Sequence, residues 1–324
     1  MVYNQDAVRY VFSVAEKIGI PKEETALAIA QFEGCEEQLR VFLAQQNQGN
    51  GYRRDGRALE DVVHDFCTRR TDLVKYDGTP RVYSVNDDFL AVENIQCVDA
   101  DGNIFEQYDK LYVRKDIERD EEEIPINFTP YNAIVYFESK GMSLLSFAGT
   151  CNLVAALYKH KDDPEVKPVL MQYKNIGNGT GWHAQNTLID WNEQKVIHHP
   201  HKNDFTEHGG KTSINQAHQR ILLPFTRKEK RKMFWDRSLS DTTLEKGLQD
   251  ALTFRFVRQL TGMENPSVLV EVGKYFGKTA RVWVSSSNET RAAWFGCDSI
   301  NFNLGTYYNL DDSYAARGVR LEAP

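Results

Sequence analysis

The chain has 324 residues, 41% of them hydrophobic, which is enough for a sizeable core and suits two domains or one large domain with an appendage. Its 39 basic against 46 acidic residues give a net charge of −7 with no long basic stripe, so the electrostatic footprint of a nucleic-acid binder is excluded. Five cysteines (Cys35, Cys67, Cys97, Cys151, Cys297) are odd in number and lack C-x-x-C spacing, so neither a disulfide framework nor a zinc knuckle is indicated, and a reducing compartment or a virion is expected.

The opening MVYNQDAVRYVFSV carries Asp6 and Arg9 where a signal peptide needs an apolar core, and no 18-residue apolar run follows. No export signal or membrane span is expected, and a cytoplasmic or virion location fits. Residues 5–46 read as three short helices, the first with Val8, Val11, Phe12, Ala15 and Ile18 at helical spacing, then a break at Gly19-Ile20-Pro21, with Pro21 and the acids after it marking the next start. This layout resembles the ubiquitin-associated three-helix module, with Ile18-Gly19-Ile20 where that family has its hydrophobic loop. A small docking or oligomerisation appendage is the other reading.

The polar, Gly-rich stretch from Gln45 to Arg57 reads as a linker or long loop. Ala58–Arg70 has helical patterning. Arg81–Lys115 alternates like strands, and the Asp99-Ala100-Asp101-Gly102-Asn103 turn joins Ile95–Val98 to Ile104–Tyr108 as a hairpin. The acids and Arg at 119–123 form a solvated charge run. Thr129-Pro130 opens a helix with Ala133, Ile134 and Phe137 on one stripe, stopped by Gly141, and a second helix follows Ser146 with Leu153, Val154 and Leu157 on one face. Three divisions follow: a three-helix module at 1–50, a linker and β-rich connection at 51–124, and a large domain at 125–324 with an insertion at about 160–280.

Two constellations invite chemistry. Cys151 stands at a helix start, and GWHAQNTLIDW places His183 seven residues before Asp190. The order Cys, His, Asp, with the thiol where a helix dipole lowers its pKa, resembles papain-like and transglutaminase-like enzymes, which implies nucleophile, general base and orienter. With a ubiquitin-associated-like N-terminus it implies a ubiquitin-directed hydrolase. Asn152 stands where that family has Trp, however, and an apolar helix face around Cys151 fits a core position. Six histidines fall between His183 and His218, but His198 and His199 are neighbours that point opposite ways on a strand, so they are read as surface or hydrogen-bonded groups and not as metal ligands. Asn175–Gly181 reads as a hairpin loop, because neither a GK[ST] nor a following helix makes it a phosphate loop. The basic run 225–232 reads as the polar start of a helix, with contact to an anionic partner as the other reading, and Phe254, Val257 and Leu260 before Gly262 describe an amphipathic helix with a glycine cap.

The segment Arg281–Leu321 is the most informative. It concentrates aromatics, Asn, Asp and Ser with little alternation, the mixture that makes rigid amphipathic contact area with adaptable hydrogen bonding, or else a set of short irregular strands with polar turns. The helix, G-x-x-L, helix arrangement of TPYNAIVYFESKGMSLLSFAGTCNLVAAL, the strand Val282-Trp283-Val284-Ser285-Ser286 and the closing Gly318-Val319-Arg320-Leu321 together resemble C-type-lectin-like domains, including the sulfatase-modifying, formylglycine-generating branch. The resemblance covers roughly residues 125–324 and implies an α+β fold, a C-type-lectin-like domain behind an N-terminal three-helix module. The enzymatic branch needs a reactive cysteine pair near the C-terminus, where this chain has Cys297 alone.

The window from Phe295 to Ala316 contains no Lys, Glu, Gln, Met or Trp. This is similar to the variable proteins of diversity-generating retroelements, which display a randomised ligand-binding face on the same fold. The resemblance implies a face made of Ser287, Asn288, Asp298, Asn301, Asn303, Tyr307, Tyr308, Asn309, Asp311, Asp312 and Tyr314, held by Trp294, Gly296, Gly305 and Arg317. The expected function is therefore recognition of a protein or cell-surface ligand, without a cofactor, with oligomerisation open; the alternative is the cysteine hydrolase of Cys151, His183 and Asp190.

Overall fold

The computed structural model describes residues 78–177, 181–192, 195–200, 221–224, 243–285 and 289–324. The chain divides into two compact units, Met1–Val74 and Lys75–Pro324, and all described residues belong to the second. The three-helix module, the Gln45–Arg57 linker, the Ala58–Arg70 helix and the basic run at 225–232 lie outside the described residues.

The second unit is α+β, built on two sheets. In the first, β1 (Arg81–Ser84), β2 (Phe89–Val98), β3 (Ile104–Arg114), β11 (Gly318–Arg320) and β4 (Ser143–Leu144) lie in the order β1-β2-β3-β11-β4, every pair antiparallel. The long β2–β3 hairpin closes where expected, because the Asp99 carboxylate accepts from the backbone N–H of Asp101 and Asn103, both at 2.9 Å, while Gly102 supplies a φ of 92°. The second sheet runs β7 (Ile221–Pro224), β6 (Lys195–His198), β5 (His183–Asp190), β9 (Thr290–Cys297), β10 (Asn301–Tyr308), β8 (Thr279–Val284); its one parallel pair is β10 with β8.

Two of the expected divisions change. Strand β3 pairs with β11, so the stretch expected to be a connection shares a sheet with the chain's last strand, and no boundary falls at 124/125. Within 160–280, the described strands β5 and β6 pair with each other and β5 pairs with β9, so these strands are structural members of the second sheet. Both pairings join residues far apart in sequence, which local patterning does not reveal.

The helices start and stop on recognisable chemistry. Thr129 caps α1 (Pro130–Ser139) by accepting from Asn132 N at 3.2 Å, with Pro130 at the first helical position. Ser146 caps α2 (Phe147–Lys159) by accepting from Gly149 N at 2.8 Å. After α3 (Val166–Gln172) and the single turn α4 (Leu244–Gly247), Asp250 caps α5 (Ala251–Thr261), which ends at left-handed Gly262, and α6 (Val268–Tyr275) leads into β8. Helix α2 is buried along most of its length and packs on β2, β5 and β9, joining the two sheets through one apolar core.

Strand β9 shows how the core is shared. Its Ala293, Phe295 and Cys297 face the α2 side, while Ala292 and Trp294 face a second cluster made with Phe137, Ile134 and Phe128 around α1. Alternation places successive side chains on opposite faces, and both faces here are apolar, so the strand is buried on each side.

One buried polar network sits at the start of α2. The Glu106 carboxylate accepts from Ser146 Oγ at 2.7 Å and from Tyr108 OH at 2.6 Å, and lies 2.9 Å from His199 Nε2. Burial opposes its ionisation, but the charge and hydrogen bond of His199 outweigh that and hold the carboxyl at about 2. Burial likewise opposes the charged form of His199, and Glu106 more than compensates, so its pKa is raised.

Candidate functional site

The candidate site is a polar and aromatic face at the β8–β10 margin of the second sheet. In the parallel register, Arg281 stands opposite Asn303 and Trp283 opposite Gly305, so Arg281 and Trp283 of β8 share a face with Asn301, Asn303 and Gly305 of β10. Neighbouring β9 places Gly296 opposite Asn303 and Trp294 opposite Gly305 on that same face. Beyond Gly305 the β9–β10 register shifts, and this irregularity brings adjacent Tyr307 and Tyr308 side by side, their rings stacked with centroids 4.3 Å apart. Strict alternation would have sent them to opposite faces.

The polar side chains form a connected series. Arg281 Nε donates to Asn301 Oδ1 at 2.9 Å, and Trp283 Nε1 donates to Asn303 Oδ1 at 2.5 Å. Asn303 Nδ2 in turn donates to Asp298 Oδ2 at 2.8 Å. Asp298 also accepts from the backbone N–H of Ile300 at 2.7 Å and Asn301 at 2.6 Å, closing the β9–β10 turn. Partial burial disfavours its charged form, yet these backbone and amide donors outweigh burial and lower its pKa.

The face rests on packed aromatics. Trp294 is fully buried, with Tyr314 edge-on at 4.2 Å and Tyr308 at 5.8 Å. Trp182 adds a half-buried ring 5.4 Å from Tyr308, and Trp283 lies 6.4 Å from Tyr307. Gly296, with φ at 149°, lies directly under the carbonyl of Gly181, and a side chain there would block the crossing of the 181–182 backbone.

The predicted face residues therefore divide by role. Tyr307 is 39% exposed, and Asn309 and Asp311 are also exposed; Asp298, Asn301, Asp312 and Tyr314 are half-buried. Asn303 and Tyr308 are 1% and 7% exposed, so the direct contact expected of them is replaced by support: Asn303 orients Trp283, and Tyr308 underlies Tyr307. Asp312 holds its own turn by accepting from Asn309 N at 2.8 Å, and the Asn309 side chain accepts from Arg291. Ser287 and Asn288 lie outside the described residues. Arg281, Trp283 and Trp182 are face residues that the sequence did not nominate. Their proximity to β10 follows from the parallel β8 pairing and the 181–182 crossing, for which the local sequence carries no signal.

Cys151, His183 and Asp190 do not form a hydrogen-bonded series. Cys151 is fully buried on α2, and burial raises its pKa well above the usual thiol value. His183 is 1% exposed; its Nε2 faces the Gln172 carbonyl at 3.2 Å, and burial, reinforced by the Arg317 charge, pushes its pKa down to about 3. Asp190 ends the strand that His183 begins, roughly 23 Å away at about 3.3 Å per residue, and holds a turn by accepting from Asn192 N at 3.0 Å. A neutral thiol and a neutral imidazole committed to the Gln172 carbonyl give no thiolate–imidazolium pair.

The histidine pair behaves as hydrogen-bonded groups, though not by alternation. His198 bonds Thr187 Oγ1 through Nδ1 at 2.9 Å and stacks on Phe105, whereas His199 adopts a φ of 52° and leaves the strand geometry to reach Glu106. Among the described residues, no group of three or more His, Cys, Asp or Glu side chains is placed to hold a metal ion, and no helix is long and apolar enough to cross a membrane. Protein-family models, curated proteins and solved structures were all compared with the chain, and none matches it.

Proposed function

We propose that this chain is a recognition protein that binds a protein or cell-surface ligand through the face formed by Tyr307, Trp283, Asn301, Arg281, Asn309 and Asp311. The observation that carries this reading is the register shift after Gly305, which brings Tyr308 onto the face beneath Tyr307, so that Tyr307 rests on a buried aromatic bed beside a hydrogen-bonded Arg, Asn and Asp series. Rigid aromatics supported from below give contact area at low entropic cost, and flanking amides give adaptable hydrogen bonds. In this reading the fold is a C-type-lectin-like domain behind a three-helix module, and the tail is a variable region of the retroelement-diversified type. The absence of Lys, Glu, Gln, Met and Trp between Phe295 and Ala316 supports the last point.

The test is binding of the full chain to an array of purified ectodomains and surface glycans, with a photo-cross-linking residue placed at position 307 or, as control, at exposed Val85. Adducts formed from 307 and not from 85, and binding lost in Tyr307→Ala, are expected. Binding that persists in that variant removes the proposal. A complete genomic locus without a reverse transcriptase and a near-copy of the segment encoding 285–321 removes the diversification part alone.

A further inference from the structure

We infer that the small cavity between the first turn of α2, the start of β5 and the chain entering β11 is a binding site for one water molecule, held between Arg317 Nε and His183 Nδ1. The cavity measures about 10 Å³, the room one water needs, and its polar wall is Thr150, Tyr173, His183, Gln185 and Arg317. Both principal groups are buried, at 1% exposure for His183 and 5% for Arg317.

Arg317 spends its terminal nitrogens on the Arg114 carbonyl and on Gln172 Oε1, with its guanidinium over the Tyr173 ring at 5.4 Å. Its Nε–H finds no acceptor among the protein atoms. His183 points Nε2 at the Gln172 carbonyl, which fixes the proton on that nitrogen and leaves Nδ1 a bare lone pair, also without a protein partner. A buried donor and a buried acceptor, neither with a partner among the protein atoms, therefore belong to residues that line one water-sized space. A water accepts from Nε–H, donates to Nδ1, and keeps a second hydrogen for the Thr150–Gln185 pair on the same wall.

An anion is the other ligand a buried arginine attracts, but here it would meet the Nδ1 lone pair. Accepting it would require a protonated His183, which burial and the Arg317 charge both oppose. Asp116 already acts on Arg317 through space. The water completes a junction in which Arg317 ties the tail to β3 and α3, next to the parallel bridge between His183 and Ala315.

A crystal structure of the full chain at a resolution that shows ordered solvent tests this. The expected result is a solvent peak at hydrogen-bond distance, about 3 Å, from both atoms, with no anomalous signal after a bromide soak. A bromide peak at that position, or clear density for both side chains with no peak between them, overturns the inference. Nitrogen-15 NMR of His183 at neutral pH gives an independent readout: the Nε2–H tautomer is expected, and an Nδ1–H tautomer or an imidazolium overturns it.

Discussion

The Tyr308 ring lies against Gly305, so close that a Cβ at position 305 would stand 2.5 Å from Cε2 of that ring. Substitution of Gly305 by alanine must displace the ring, and with it Tyr307 stacked above. Gly305→Ala is expected to cost about 1–3 kcal/mol in urea unfolding, the usual penalty for overpacking. Wild-type stability in that variant would show that Tyr308 does not occupy this place.

The two stacked tyrosines should separate binding from folding. Tyr307 is 39% exposed, and its truncation to alanine should change stability by no more than about 1 kcal/mol while weakening ligand binding. Tyr308 fills the space between Gly305, Trp294 and Trp182, and Tyr308→Ala should cost about 3–5 kcal/mol. Parallel unfolding and binding measurements on both variants decide; equal destabilisation would refute the division of roles.

Asp298 is the hinge of the polar series, since it closes the β9–β10 turn and holds Asn303 under Trp283. Asp298→Ala should destabilise by roughly 1–3 kcal/mol and loosen the Trp283 indole, seen as a shift in its Nε1–H resonance. Because its folded pKa is lowered, the stabilisation is present above the ordinary carboxylate range and fades as pH falls through the folded value. An unmoved indole resonance would mean that Asn303 is positioned without Asp298.

Burial raises the pKa of Cys97 and Cys151 well above the thiol range and that of Cys297 to about 12. Maleimide should therefore leave these three thiols unmodified in the native chain and label them in urea, by peptide mass spectrometry. Rapid native labelling of Cys151 would restore the hydrolase reading.

His183 and His198 give the pH profile its sign. Both titrate near 6.5 when unfolded, whereas burial keeps them neutral down to about 3 and about 4 in the fold. Below 6.5 the unfolded chain alone takes up these protons, so stability should fall as the solution is acidified, by up to about 1.4 kcal/mol per pH unit for each histidine. His199 acts oppositely: its folded pKa is raised, so its contribution is full below 6.5 and lost as pH rises through the folded value. Unfolding curves of wild type and His199→Gln should differ below pH 6.5 and converge at high pH. Curves that diverge only on the alkaline side would reverse the assignment.

Elements whose limits are written in neighbouring residues were legible from the sequence. The Asp99–Asn103 turn, the Thr129 and Ser146 caps and the Gly262 stop all lie where the amino acids place them, because a turn or cap is satisfied within a few residues of itself. The burial of Asn303 was not legible: an amide in a polar stretch reads as exposed until Trp283, 20 residues away, is found to be its partner. The same holds for Cys151 and His183, whose spacing fits a hydrolase while the packing of α2 removes both from solvent.

By itself, then, the sequence determined the local starts and stops, the net charge of −7 without a long basic stripe, and the concentration of aromatic and amide groups near the C-terminus. The tertiary structure alone decided that β11 joins the first sheet between β3 and β4, that β8 runs parallel to β10, and that Tyr307 rather than Tyr308 meets solvent. The physical reason is that caps and turns are settled by short-range hydrogen bonds, whereas strand partners and burial depend on which distant apolar faces meet.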